Sequence, residues 1–415
     1  MANSEPSSMT ARPTTPVPAF VVIAGFTLLA VSFMVNAMDR QVFYPLLPDI
    51  RTTYGFSLSE GGLLATGFTL GMAGAGLPAG YLADRVSRKT LLVVSIVVYS
   101  VGTLLTPAAA GFADMAVYRL VSGFGEGMQA TALYAAIGAF FFVRRSLVLG
   151  IFGFAFGLGV FFGPIIGTSL ATSHGTWHAP FITFGAVGLL LAVLIGLLVS
   201  RRLTEAVAGA AQRETVDYDY IPASPYNRNT RLLAVATAAG GLTVYGFLGL
   251  YPTYLRTELH FTPGQTALAT SLIGAGAATS LFSGWLADRF DPRKVLLVTY
   301  LGLAVSAWFV FNGADTPAWH YVTSFIMATF GLGSLFTNCN SAIQRSVRPE
   351  QVGRAAGLFV TTYYVAAAVS GYVFAELVDA MGWTQAALWQ FTVVPLAALV
   401  PLWFVRSAKI IRSVS

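Results

Sequence analysis

The chain has 415 residues, of which 24 are Lys or Arg and 18 are Asp or Glu, so only 10% of it is charged, against about 25% in a soluble domain. With 55% apolar residues, 31 Phe and a mean hydropathy of +0.69, this deficit excludes a water-soluble globular protein and makes lipid the solvent for most side chains. The single cysteine, Cys339, excludes an intrachain disulfide and with it an oxidised extracellular scaffold.

In chain order, residues 1–17 are polar and rich in Pro, Ser and Thr. They lack the basic start and short apolar core of a signal peptide, and a disordered cytoplasmic tail is expected there. Apolar runs then fall near 18–38, 59–82, 90–109, 112–140, 146–172, 179–200, 231–255, 263–288, 293–312, 318–344, 352–377 and 384–405. Backbone groups find no partner in hydrocarbon outside a helix or closed barrel, and these runs are about twice a barrel strand's length, so each reads as a transmembrane helix. The longest polar interval, 201–230, separates an N-terminal bundle at 18–200 from a C-terminal bundle at 231–406, six helices each. Its first part has helix-forming composition and its second part, with Pro222 and Pro225, does not, so a short surface helix followed by coil is expected. Residues 407–415 form a second tail. The fold class is all-α integral membrane, 12 helices in two pseudo-symmetric bundles.

Orientation follows from the 24 basic residues. Arg40 and Arg119 fall within the spans or their buried ends, Arg51 and Arg256 fall on one side, and every other Lys and Arg falls on the opposite side. That asymmetry makes the basic face cytoplasmic, with both termini inside an inner (plasma) membrane. The net charge of +6 is thus a topology signal, and no nucleic-acid partner is expected.

A charged phrase occurs twice, as Gly80-Tyr-Leu-Ala-Asp84-Arg85-Val-Ser-Arg88-Lys89 and as Gly284-Trp-Leu-Ala-Asp288-Arg289-Phe-Asp-Pro-Arg293-Lys294. The copies lie half a chain apart, as in transporters built from a duplicated bundle. On these residues the chain resembles the major facilitator superfamily, whose G-x-L-A-D-R-x-x-R-K phrase stands in the first half and, with one extra residue before Arg293-Lys294, in the second. The resemblance implies a conformational latch at Asp84, Arg85 and Arg88, repeated at Asp288 and Arg289. In physical terms, a carboxylate ending a helix beside the other bundle can pair with arginines or helix N-termini across the interface.

Four ionisable residues lie within the spans or their buried ends: Asp39 and Arg40 in the first, Arg119 and Glu126 in the fourth. Each costs at least about 2.5 kcal/mol at a helix centre unless paired or wet, so such charges are functional candidates. A carboxylate in a changing environment can take and release a proton, which makes Glu126 and Asp39 the expected proton carriers, with the principal one left open. A structural ion-pair network is the alternative reading. Arg40 and Arg119 suit an anionic substrate, and Asn36 shares the face of Arg40, four residues away. Uncharged donors in the other half, Tyr245, Asn338, Asn340 and Tyr364, suit substrate hydroxyls or interhelical hydrogen bonds.

The phrases Asn36-Ala-Met-Asp39-Arg40, Leu47-Pro48-Asp49-Ile50 and Gly125-Glu126-Gly127, with Arg119, are similar to those of anion:cation symporters and Spinster-like transporters. The first group implies import of organic anions with protons or sodium, the second movement of lysolipids or sphingoid lipids. A glycine series in the fifth span, Gly150, Gly159, Gly163-Pro164 and Gly167, nearly matches an antiporter signature and keeps export of an amphiphile or drug open.

All four histidines, His174, His178, His260 and His320, fall in or beside extracytoplasmic loops and are expected at the surface. No lysine follows a glycine, so a phosphate loop is excluded, and no nucleophile has a histidine at depth, so an intramembrane enzyme is not expected. The expected function is proton-coupled, alternating-access transport of a small organic anion, a carboxylate or sugar acid. No cofactor or metal is expected beyond the ion gradient, membrane lipids surround the chain, and a monomer suffices.

Overall fold

The computed structural model describes residues 18–141, 144–205 and 220–411. The tail expected at 1–17 and residues 206–219 of the linker lie outside the described residues. Among the described residues are twelve long helical segments: α1 (Ala19–Tyr54), α2 (Leu58–Ala83), α3 (Arg88–Leu105), α4 (Phe112–Phe140), α5 (Arg145–His174), α6 (His178–Leu198), α7 (Arg228–Thr257), α8 (Pro263–Ala278 continued by Ser280–Arg289), α9 (Pro292–Asn312), α10 (Pro317–Arg345), α11 (Val352–Met381) and α12 (Trp383–Trp403). Eleven are long and apolar enough to cross a membrane. The other, α4, has 29 residues and ample length, but it carries Arg119, Glu126 and Gln129 on buried positions.

The first helix runs to Tyr54, far beyond the expected end near 38. Asp39 and Arg40 do not stop it because both are buried and partnered inside the protein. It passes Pro45 and Pro48 and ends where Gly55 adopts a left-handed φ of 71°. The linker begins with a short helix, Arg201–Glu205, and α7 starts three residues before the expected boundary, where the Asn227 side chain caps Thr230. Both α10 and α12 contain a π-helical stretch, Thr329–Leu335 and Leu388–Val393.

Local chemistry repeats with the duplication. The turn from α1 to α2 has Arg51 donating to Phe56 O and a Ser57–Glu60 capping box; the turn from α7 to α8 has Arg256 donating to Phe261 O and a Thr262–Gln265 capping box. Each of these positions maps onto its partner by adding 205.

The two bundles meet through small residues, which let backbones touch. A Cβ at Gly80 of α2 would stand 2.6 Å from Gly353 O of α11, and Thr361 Oγ1 bridges Ala73 O and Leu77 N. The matching contact joins α5 to α8, where Ser280 Oγ donates to Gly150 O at 3.0 Å. The glycines of the fifth span serve packing: Gly150 faces Ser280, while Gly159, Gly163 and Gly167 face Met34, Met38 and Val42 of α1.

Candidate functional site

The four intramembrane charges converge. Arg40 donates to Glu126 Oε2 from Nε at 3.0 Å, and its Nη2 lies 2.9 Å from the same oxygen. Nη2 also donates to Asn36 Oδ1 at 3.2 Å, and Nη1 donates to Tyr364 OH at 3.0 Å and approaches Tyr245 OH at 3.5 Å. One guanidinium thus links an acid of the N-terminal half to two phenols of the C-terminal half. Asn36 in turn donates to Gln129 Oε1, and Gln129 donates to Ser32 Oγ.

Asp39 points the other way around α1, where Thr103 Oγ1 donates to its Oδ2. Thr103 has one proton to give, so Ser122 Oγ, 3.1 Å away, donates to Thr103 and completes a hydroxyl relay. Asp39 Oδ1 and Glu126 Oε1 are buried with no hydrogen-bond partner, and the two carboxyls lie in electrostatic range of each other. Two carboxylates are acceptors only, so a bond between them requires that one hold a proton.

Arg119 is only 1% exposed and sits between two phenyl rings, its Cζ 4.3 Å from the Phe43 centroid and 4.2 Å from that of Phe68. It lies in electrostatic range of Asp39 and Glu126, but its Nε and Nη1 have no hydrogen-bond partner. Leaving donors of a buried cation unmade costs about 1–3 kcal/mol or more, so the arrangement suits an anion that arrives from elsewhere.

The exposed edge of the cluster lies on the side away from the basic face. Tyr44, one turn beyond Arg40, lies in electrostatic range of Arg119, Arg40 and Glu126 and is nevertheless 45% exposed. Beneath the cluster an aromatic layer closes the path: Phe336 stacks on Phe156 and packs edge-on to Tyr134, across the bundle boundary. A cavity of about 20 Å³ remains there, lined by Phe33, Thr337 and Asn340 among others, room for about one water.

On the basic face the two bundles are tied at two places. Asp84 accepts from Gly353 N (2.7 Å), Arg354 N (3.1 Å) and Arg354 Nε (3.0 Å), at the N-terminus of α11. Asp288 accepts from Ser146 N (3.2 Å) and Leu147 N (2.8 Å) at the N-terminus of α5, and it pairs with Arg345. Helix N-termini are ready anion sites, which is what both carboxylates use. Neither Arg85 nor Arg289 is placed across this boundary: each stacks on an aromatic ring of its own helix, Tyr81 and Trp285. Arg88 turns back into its own bundle, donating to Ala83 O and Thr204 O.

A sequence model described as Major Facilitator Superfamily matches residues 29–371, and again residues 233–412. The chain belongs to this superfamily. It is a transporter and not an enzyme. It is 26% identical over 377 residues to the probable sulfoacetate transporter SauU of Cupriavidus necator, covering 86% of this chain and 87% of that protein. It is 26% identical to a hexuronate transporter of Bacillus subtilis over 69% of each chain, and 28% identical to the protein spinster of Drosophila melanogaster over 77% of this chain and 55% of that one. Among solved structures, the proton:xylose symporter XylE aligns with a TM-score of 0.76 at 14% identity, covering 94% of this chain and 97% of that one. The human organic anion transporter MFSD10 aligns at 0.73 and 16% identity, covering 94% of this chain and all of that one.

In the transporter's C-terminal half, the expected polar residues divide. Tyr245 and Tyr364 reach Arg40, whereas Asn338 donates to Ser283 and Ser334 within its own bundle and Asn340 accepts from Gln344 while lining the small cavity. Thr361 is engaged across the interface with α2. His320 departs from its expected surface position: it is 1% exposed, with Nδ1 3.1 Å from Tyr251 OH among aromatic rings, because its helix turns it into the bundle.

Several cluster residues carried no signal in the reading of the sequence. Gln129 follows Glu126 by three and so shares its face, a spacing that was available. Thr103 and Ser122 are indistinguishable from ordinary helix hydroxyls, and Phe43 and Phe68 from lipid-facing apolar residues, until the helices are assembled.

Proposed function

We propose that the transporter moves a small organic anion together with a proton across the inner membrane by alternating access, with both termini in the cytoplasm. The observation that carries this reading is the pairing of a buried, unsatisfied Arg119 with the two bare carboxylate oxygens of Asp39 and Glu126. An organic carboxylate or sulfonate entering from the open side gives Arg119 the acceptor it lacks. A proton shared by Asp39 and Glu126 gives both bare oxygens a partner and removes a negative charge beside the incoming anion. Substrate and proton therefore favour each other's binding, which is the thermodynamic requirement for symport.

Arg40 connects this cluster to motion. Protonating Glu126 weakens its hold on Arg40, and Arg40 also carries the bonds to Tyr364 and Tyr245 in the other bundle. The ties at Asp84 and Asp288 hold the cytoplasmic side shut until that centre changes. Relatives named as transporters of sulfoacetate and hexuronate support an anionic substrate, and the glycine series of α5 is engaged in packing and does not indicate export.

The test is uptake into proteoliposomes with a panel of organic acids and lysolipids, with and without sodium, while lumenal pH is followed. Acid-dependent proton entry that Glu126→Gln or Asp39→Asn abolishes, with exchange of substrate retained, is expected. Undiminished proton-driven accumulation in both variants, or accumulation that tracks sodium alone, would refute it. Net efflux of lysolipid would favour the export reading instead.

A further inference from the structure

The basic face carries a second feature that the transport site does not use. Where α12 ends, Trp403, Phe404, Val405, Arg406, Ser407, Ala408 and Lys409 form, with Arg228 of α7 and Arg293 of α9, the lining of a groove of about 630 Å³. Ligand sites run to about 300–1,000 Å³, so the groove is large enough to hold one. Four of its residues are cations. None of them has an ion pair among the described residues, and the acid beside them, Asp291, is engaged with Ser407 Oγ and with the Arg293 amide. Arg293 stacks on Trp403 at 4.9 Å, and its Nε is buried without a hydrogen-bond partner.

The cations stand on fixed backbone. Asn229 of α7 clasps Arg406 through two bonds, Nδ2 to Arg406 O at 3.0 Å and Arg406 N to Oδ1 at 2.9 Å. Ile411 N donates to Arg345 O at 2.9 Å, and the Ile410 and Ile411 side chains are buried, which pins the chain just past Lys409. A site held this way loses little entropy when it fills.

The duplicated half shows the same frame with different side chains at the groove positions. Subtracting 204 places Lys409 on Glu205, Arg293 on Lys89, Trp403 on Val199 and Phe404 on Ser200. There Glu205 accepts from Lys89 N and Ser87 Oγ, and Val199 is buried. In both halves a carboxylate serves the equivalent helix N-terminus, Asp291 on the Arg293 amide in the second and Glu205 on the Lys89 amide in the first. The second half has a lysine in the place of Glu205 and two aromatics, Trp403 and Phe404, 65% and 53% exposed, where the first has a buried valine and a serine.

We infer that this groove binds the phosphate headgroup of an anionic phospholipid in the leaflet on the basic side. Arg293, Arg406, Lys409 and Arg228 surround the phosphodiester, and Trp403 and Phe404 lie along the glycerol and the first methylenes. Exposed Trp at the end of a transmembrane helix sits at headgroup depth, and basic pockets between helices at that depth take acidic headgroups. The aromatic pair selects a lipid over free phosphate, which has no apolar part to cover it. The inference uses the orientation argued above only to name the leaflet; headgroup binding itself does not depend on it.

The test is native mass spectrometry of the full chain in detergent, titrated in parallel with phosphatidylglycerol, phosphatidylcholine and inorganic phosphate. Retained phosphatidylglycerol adducts with little phosphatidylcholine are expected. At about 1 kcal/mol for each interfacial cation, Arg293→Gln combined with Lys409→Gln should weaken phosphatidylglycerol binding about thirtyfold, and Arg228→Gln alone, at an exposed position, about fivefold. Lys294→Gln, outside the groove, should leave it unchanged. If the double variant does not fold, the Arg228→Gln result decides. Equal retention of phosphatidylcholine, inorganic phosphate binding as tightly as the lipid, or a foldable groove variant that keeps full lipid affinity would each overturn the inference.

Discussion

Arg40 of α1 and Tyr364 of α11 are joined by a 3.0 Å hydrogen bond at mid-membrane, and the opposite edge of the same guanidinium holds Glu126. An acid in one bundle is therefore one side chain away from the other bundle. A hydrogen bond to a charged group contributes about 1.5–3 kcal/mol, which is tenfold or more in an equilibrium. Tyr364→Phe should reduce the population with joined cytoplasmic ends by about that factor. Spin-label distances between the cytoplasmic ends of α2 and α11 report it, and an unchanged distribution would show that the bond does not bias the state.

Arg119 is held by two ring faces as well as by charge. Lysine keeps the charge but loses the flat guanidinium that stacks between rings and binds an anion with two donors. Arg119→Lys is expected to weaken substrate binding roughly tenfold or more in isothermal titration, with stability little changed. Arg119→Gln should weaken it further.

The close approach of α2 and α11 depends on Gly80, where an added Cβ would meet Gly353 O at 2.6 Å. Gly80→Val should prevent these ends from closing and abolish uptake while leaving the folded protein in the membrane. Asp84→Asn keeps an acceptor for the Gly353 amide but loses the ion pair with Arg354, so it should slow transport several-fold and leave binding affinity in detergent within about twofold. A large loss of affinity in Asp84→Asn would contradict the placement of Asp84 away from the substrate.

Glu205 fastens the start of the linker to the N-terminus of α3. Partial burial raises its pKa, but the bonds from the Lys89 and Arg88 amides, Ser87 and Thr204 together outweigh this and leave it below the usual glutamate range. A lowered carboxylate pKa means that the stabilisation is present above the ordinary glutamate value and is lost as pH falls through the lowered one. Glu205→Gln at neutral pH should therefore raise hydrogen exchange at the Lys89 amide about fivefold, the equivalent of roughly 1 kcal/mol of capping. No change in protection would mean that water serves the helix end equally well.

What the sequence determined by itself follows from the solvent. A chain with 10% charge and long apolar runs must satisfy its backbone internally, so helices, their number and their duplication were legible, as was the list of four charges that lipid makes costly. The capping boxes at Ser57 and Thr262 that start α2 and α8 emerged only with the structure. The end of α1 was misjudged because Asp39 and Arg40 look like a boundary to any argument based on hydropathy. Only packing shows that they are interior.

Pairing belonged to the tertiary structure. Arg119 and Glu126 share one face of α4, yet Glu126 binds Arg40 from α1, while Arg119 is left between Phe43 and Phe68 with donors free. The twin phrases marked Asp84 and Asp288 but gave their neighbouring arginines the same weight, and the fold turns Arg85 and Arg289 onto rings of their own helices. Helical spacing fixes which face a side chain occupies on its own element. Which element lies opposite that face is set by the assembly of all twelve, and the chemistry of a membrane charge depends on that partner.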